Sequence, residues 1–164
     1  MRYLKSLLSI VILIIFSVNL NASEIIDIDS KVKLAKKETK AIMMFFHVPY
    51  CRYCESMLDN NFKDKKTLDE IKNNFILVDI YTANKSKVKF KDFEGSTKEF
   101  AKYIGAFAYP ATIFLDENSK TIHSSIGYRN IQEYLSEIKY IATKSYGKIS
   151  LEKFREDLEF SEDE

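Results

Sequence analysis

Apolar positions along this chain fall into runs and periods that predict alternating strands and helices. Over residues 29–40, "DSKVKLAKKETK", Val32, Leu34 and Ala35 recur among lysines, the pattern of a short amphipathic helix. Residues 41–48, "AIMMFFHV", form an unbroken apolar run between Lys40 and Pro49, which predicts a strand buried on both faces. From Cys54 the period becomes helical, with Met57, Leu58 and Phe62 on one side. "KKTLDEIKNN" at 65–74 predicts a second helix, and "FILVDIY" at 75–81 a second strand. In "KSKVKFK", residues 85–91, lysines alternate with Ser86, Val88 and Phe90. This predicts an exposed extended stretch whose lysines discourage edge pairing, in preference to a basic docking patch. In "STKEFAKYIG", Ser96 and Glu99 make a capping box and Gly105 stops the helix. Strands at 112–116 and 121–126 pair as a hairpin around a turn at 117–120. A helix at 131–143 turns Ile131, Leu135, Ile138 and Ile141 inward, and the tail from Ser150 is a short helix with an acidic end. The order β-α-β-α-β-β-α predicts one α/β domain.

The first residues follow a different logic. Arg2 and Lys5 precede an apolar core at 7–18, and the small Ala22 stands just before Ser23. That is the layout of a secretory signal peptide over residues 1–22, with an uncleaved N-terminal anchor as the alternative. No cysteine lies in or just after the segment, which argues against a lipid-anchored lipoprotein. Export to the periplasm is expected, with cleavage after Ala22. Of 164 residues, 142 remain (164 − 22), enough for one domain spanning residues 23–164.

Charge removes one class of function. The formal net charge is +1, and −1 once Arg2 and Lys5 are removed (1 − 2), so nothing supports a nucleic-acid partner. The two cysteines, Cys51 and Cys54, both lie in "FFHVPYCRYCESM". A metal clip, a structural disulfide and a redox pair compete for them. A bridge between them closes a very short loop and adds little to stability. A structural zinc needs about four ligands, and only His47 and His123 are available to join the thiols, from a strand end and from within a hairpin. A c-type haem needs a histidine after Cys54, where Glu55 stands. The predicted elements favour the redox pair. A buried strand runs into the CxxC and a helix begins there, so Cys51 sits at a helix N-terminus, where a thiolate is stabilised. Cys54 then lies one turn on, in reach to release a mixed disulfide.

At this point the chain resembles the thioredoxin superfamily. The residues that carry the resemblance are "FFHVPYCRYC", "FILVDIY" and "YPATIFLDENSK" followed by "IGY". The layout is most similar to exported thioredoxin-like proteins associated with bacterial sulfur oxidation, through "DFEGSTKEFAKYIGAFAYPATIFLD", the "GY" after the hairpin, and a Tyr-Gly with a short helix near the end. It covers roughly Lys31 to Phe160. The resemblance implies a thioredoxin fold, with a central mixed sheet flanked by helices. It implies a monomeric thiol–disulfide oxidoreductase without cofactor or metal, acting on protein disulfides or thiols and reduced by a membrane thiol-electron carrier. Reduction of periplasmic protein disulfides is the expected role. The alternatives are a dithiol oxidase or isomerase, or a non-catalytic copper-binding or chaperone module.

By the same resemblance, Cys51 attacks and Cys54 resolves, and Pro110 is a cis-proline facing the disulfide. Tyr50, Tyr109 and Pro110 are the expected client-binding residues. Arg52 would stabilise the Cys51 thiolate, or else be a solvated arginine of the first turn. There are departures. Tyr50 and His47 stand where the family has tryptophans, Arg52-Tyr53 replaces Gly-Pro between the cysteines, and Phe45 stands where a buried aspartate is usual. Asp79, in the middle of an apolar strand, is a candidate for the relocated proton acceptor of Cys54. A surface-facing strand position is the favoured reading of it. His47 is expected to pack near the site, and His123 to be incidental.

Overall fold

The apolar run at residues 41–47 meets its expectation most fully, because it becomes the middle of a sheet. The computed structural model describes residues 24–162. The expected signal peptide and the last two residues lie outside them. The strands are β1 (Ile25–Asp27), β2 (Ala41–His47), β3 (Phe75–Tyr81), β4 (Lys87–Phe90), β5 (Phe93–Ser96), β6 (Ala111–Leu115) and β7 (Thr121–Ile126). The helices are α1 (Ile28–Glu38), α2 (Arg52–Asp59), α3 (Lys65–Asn74), α4 (Thr97–Ile104), α5 (Ile131–Ala142) and α6 (Leu151–Glu162), with a 3-10 turn at Ser145–Gly147.

The main sheet has the order β3-β2-β6-β7, with β2 parallel to β3 and antiparallel to β6. Flanked on both edges and covered on both faces, Ile42, Met43, Met44, Phe45 and Phe46 are at most 1% exposed. The strand's two-residue period sends them to two different cores. Ile42, Met44 and Phe46 join Ile28, Val32, Val88, Phe90 and Phe100 on one side, while Met43 and Phe45 join Met57, Ile71, Phe114 and Tyr134 on the other. Tyr134 is wholly buried and keeps its hydroxyl satisfied by Thr112 Oγ1 at 2.9 Å. The capping box forms as expected, Ser96 Oγ accepting the Glu99 N–H while Glu99 accepts the Ser96 N–H, and Gly105 ends α4 at φ +92°.

Three expectations are corrected. The lysine-spaced segment is not an edge: β4 is the centre of a second sheet, β1-β4-β5, parallel to β1 and antiparallel to β5. The alternation itself holds, for Val88 and Phe90 are buried and Lys87 and Lys89 exposed. Its partners carry little sequence signal, because β1 has only three residues and β5 is "FEGS", with glycine in its interior. Leu34 is 43% exposed, since α1 buries Ile28, Val32 and Ala35 instead. Ile131 is 37% exposed, because the buried stripe of α5 runs through Tyr134, Ile138 and Ile141.

That stripe also carries a charge. Glu137 is 2% exposed; its Oε1 accepts from Arg129 Nε at 2.9 Å and from an Arg155 terminal nitrogen on α6 at 3.2 Å. Its Oε2 faces His123 Nε2 on β7 across 4.0 Å, and among the described residues neither atom has a hydrogen-bond partner. Burial pushes the His123 imidazole below its ordinary value of 6.5, Glu137 pulls it back up, and the two arginines push it down again. A histidine held neutral in the fold contributes stability that is present above the unfolded value and lost as pH falls through it. Below pH 6.5, therefore, the thermal midpoint of the native chain should drop faster than that of His123→Gln. Parallel curves in a calorimetric pH series would contradict this.

Candidate active site

Strand β2 delivers the chain to the site, and a short loop turns it into α2. Tyr50 lies in the left-handed region at φ +57°, a conformation that costs a non-glycine residue about 1–2 kcal/mol. Its side chain is 100% exposed. Cys51 then takes extended backbone angles and becomes the N-cap of α2. Its Sγ accepts the Cys54 N–H at 3.1 Å, and its carbonyl accepts the Glu55 N–H at 3.0 Å. The two cysteines are disulfide-bonded, with Cα atoms 5.2 Å apart.

Their environments differ. Cys51 is half-buried, whereas Cys54 is 1% exposed. A negative charge on Cys51 Sγ would meet a backbone N–H and the positive end of α2, and both favour it. Arg52 is exposed on the first turn of the helix.

Register brings the next residues to the same end of the sheet. Phe46 pairs with Ala111, so Tyr109 and Pro110 precede β6 where β2 ends. The Tyr109–Pro110 peptide is cis. Pro110 is buried and its carbonyl accepts the Gly127 N–H at 2.8 Å. Tyr109 is half-buried against the first core cluster, and burial raises the pKa of its hydroxyl. Tyr128, next to Gly127, places its ring 5.7 Å from that of Tyr53, between the cysteines. Tyr50, Tyr53 and Tyr128 are thus exposed aromatic rings on and beside the cysteine helix.

Asp79 is not in the buried layer behind Cys54. It pairs in register with Phe45 on β3, its side chain is 63% exposed, and its Oδ1 lies 2.8 Å from His47 Nε2. That contact has the distance of an ion pair but not the alignment of a hydrogen bond. His47 is an aromatic packing residue, stacked on Phe45 at 5.6 Å and tilted against Tyr81 at 4.9 Å. Phe45, where the resemblance implies a buried carboxylate, is 1% exposed and meets Phe62 edge-on at 4.7 Å.

Two features of the site were not read from sequence. Tyr128 figured only as part of a shared "GY". Asn61 was not singled out, yet it is fully buried and donates from Nδ2 to the Arg129 and Asn130 carbonyls at 3.1 and 3.2 Å. It ties the end of the cysteine helix to the loop that carries Tyr128. An asparagine just past a helix has no sequence signal that distinguishes it from a solvated one. Among the described residues no cluster of three or more His, Cys, Asp or Glu is placed to hold a metal ion, and no helix is long and apolar enough to cross a membrane.

Known proteins bear on this geometry. No curated protein matches the chain by sequence. Among solved structures, a thioredoxin-fold protein from Helicobacter pylori is similar with a TM-score of 0.62 and 22% identity, over 71% of this chain and 83% of that one. A thioredoxin from Thermus thermophilus follows with a TM-score of 0.58 and 17% identity, over 75% and 89%. An oxidoreductase named DsbH has a TM-score of 0.52 and 15% identity, over 78% and 91%. At these identities the likeness is one of fold. The family profile described as the thioredoxin-like domain matches residues 28–142, from the start of α1 to the end of α5 and across both cysteines, and the chain belongs to that family.

Proposed function

We propose that this protein is an exported thiol–disulfide oxidoreductase that reduces protein disulfides with Cys51 and Cys54. The observation that carries the reading is the asymmetry of the pair. Cys51 is only half-buried and its Sγ receives the Cys54 N–H at 3.1 Å, while Cys54 is 1% exposed. In the reduced protein the Cys51 thiolate attacks one sulfur of a client disulfide. A Cys51–client bond forms, the client S–S bond breaks, and the departing client thiolate takes a proton. The Cys54 thiolate, having given up its own proton, then attacks Cys51 Sγ. This closes the Cys51–Cys54 bond and releases the second client sulfur as a thiol. The client gains two electrons and two protons, and the protein becomes the disulfide.

Tyr50, Tyr109 and Pro110 contact the client in this reading, and Arg52 supports the thiolate from the helix start. Asp79, 63% exposed and 2.8 Å from His47 Nε2, is read here as a surface-facing strand position and not as the proton acceptor of Cys54. Residues 1–22 would direct the chain to the periplasm, where it works as a monomer and a membrane thiol-electron carrier restores the dithiol. The role would match that of the exported thioredoxin-like proteins associated with sulfur oxidation.

The direction of electron flow is tested by equilibrating the pair with reduced and oxidised glutathione. A reductant should poise near the thioredoxin value, about −270 mV, and a value near −120 mV would instead make the protein an oxidase.

A further inference from the structure

A single buried carboxylate links the aromatic rim of the site to a helix beyond the family domain. Glu137 Oε1 accepts from Arg129 Nε at 2.9 Å and from Arg155 at 3.2 Å. Arg155 lies on α6, past the matched residues 28–142. Its Nε is also fixed, donating to Ser136 Oγ at 2.9 Å. Arg129 lies in the loop next to Tyr128. Besides Glu137, its guanidinium donates through Nη1 to the Tyr128 carbonyl at 2.9 Å and more weakly to the Ile126 carbonyl at 3.4 Å. The same guanidinium therefore grips the buried carboxylate and the backbone of the rim residue. From the other side, Asn61 holds the Arg129 and Asn130 carbonyls.

A buried ion pair is a poor source of net stability, since apolar residues of similar volume often do as well. What it supplies is direction: charge-assisted bonds to a planar guanidinium fix position and orientation together. Here the position fixed is that of Tyr128, whose ring stands 5.7 Å from Tyr53 between the cysteines.

We propose that Glu137 is a positioning residue of the redox site: through Arg129 it sets Tyr128 against Tyr53 for holding polypeptide clients, and Arg155 of α6 keeps its carboxylate in place. The inference rests on the reading of the protein as a protein-disulfide reductase. Glu137 touches neither sulfur, so the chemistry at sulfur is not its business. Its loss should raise KM for a polypeptide disulfide while kcat and the reduction of a small disulfide stay where they are.

The test compares the native chain with Glu137→Gln, which keeps the volume and removes the charge. Arg129→Lys is the second variant, since it keeps the charge and cannot serve both the carboxylate and the Tyr128 carbonyl with planar geometry. In each, KM and kcat are measured on insulin and on 5,5′-dithiobis(2-nitrobenzoate), and ring-to-ring NOEs between Tyr53 and Tyr128 are recorded on the oxidised proteins with labelled tyrosine. The expected result is a KM for insulin raised about three- to tenfold with kcat within about twofold, an unchanged rate on the small disulfide, and a lost Tyr53–Tyr128 NOE. An NOE that persists in both variants, an unchanged KM, or a parallel fall of every activity with the thermal midpoint would overturn it. Failure of the native chain itself to reduce insulin would overturn the reductase reading. The NOE comparison would still decide whether Glu137 places Tyr128.

Discussion

Replacing Phe45 with aspartate is expected to destabilise the protein by more than Phe45→Ala does, and Phe45→Ala alone by about 3–5 kcal/mol. The ring is 1% exposed in the middle of β2, meets Phe62 at 4.7 Å and His47 at 5.6 Å, and shares its cluster with Met43, Met57 and Tyr134. Alanine there removes the ring's transfer energy and leaves a cavity. Aspartate adds the cost of a carboxyl group in an apolar layer. Its folded pKa would rise above the unfolded value of about 3.9, and each unit of that rise is about 1.4 kcal/mol between the two protonation states. A carboxyl group of this kind is tolerated below its unfolded pKa and becomes more damaging as pH rises toward the folded one. Denaturant titrations of the oxidised variants should therefore show the aspartate protein closest to Phe45→Ala near pH 4 and furthest from it near pH 7. A Phe45→Asp protein as stable as the native chain at neutral pH would contradict this. In this chain the position is occupied by a packed ring, 1% exposed against Phe62.

Much of the scaffold was legible because its signals are local. The strands at 41–47 and 75–81 are written as apolar runs, and α4 is bracketed by a capping box and a left-handed glycine. The candidate pair was equally plain, since the chain's two cysteines fall together at the junction of a buried strand and a helix. What stayed hidden depends on partners far along the chain. β1 and β5 are three and four residues long and exist only because β4 lies between them. Glu137 reads as one more charge on a polar helix flank, and only the fold brings arginines 8 and 18 residues away onto one of its oxygens. Asp79 is the converse case. In the sequence it interrupts an apolar strand, but β3 is an outer strand of the main sheet and the carboxylate simply faces out.

The largest functional effect is expected at the cysteines, and it should differ between them. The first attack needs a thiolate that a client can reach, and of the two cysteines Cys51 is the half-buried one, with its sulfur at the Cys54 N–H and the start of α2. Cys51→Ser should lower protein-disulfide reduction by at least about a thousandfold, because a serine hydroxyl is no thiolate at neutral pH and cannot form the mixed disulfide. Cys54→Ser should be as inactive in turnover for a different reason. Its Cys51 still attacks, but nothing behind it breaks the bond, so the client stays attached.

Mass spectrometry of these adducts under non-reducing conditions puts the division of labour to its most direct test. Each variant, purified and reduced, is mixed with a disulfide-bonded polypeptide, and the linked peptides are sequenced. The expected result is a one-to-one adduct with Cys54→Ser, its bond mapped to Cys51, and none with Cys51→Ser. Equal adduct formation by the two variants, or its absence in both, would contradict the assignment of Cys51 as the attacking thiol and Cys54 as the resolving one.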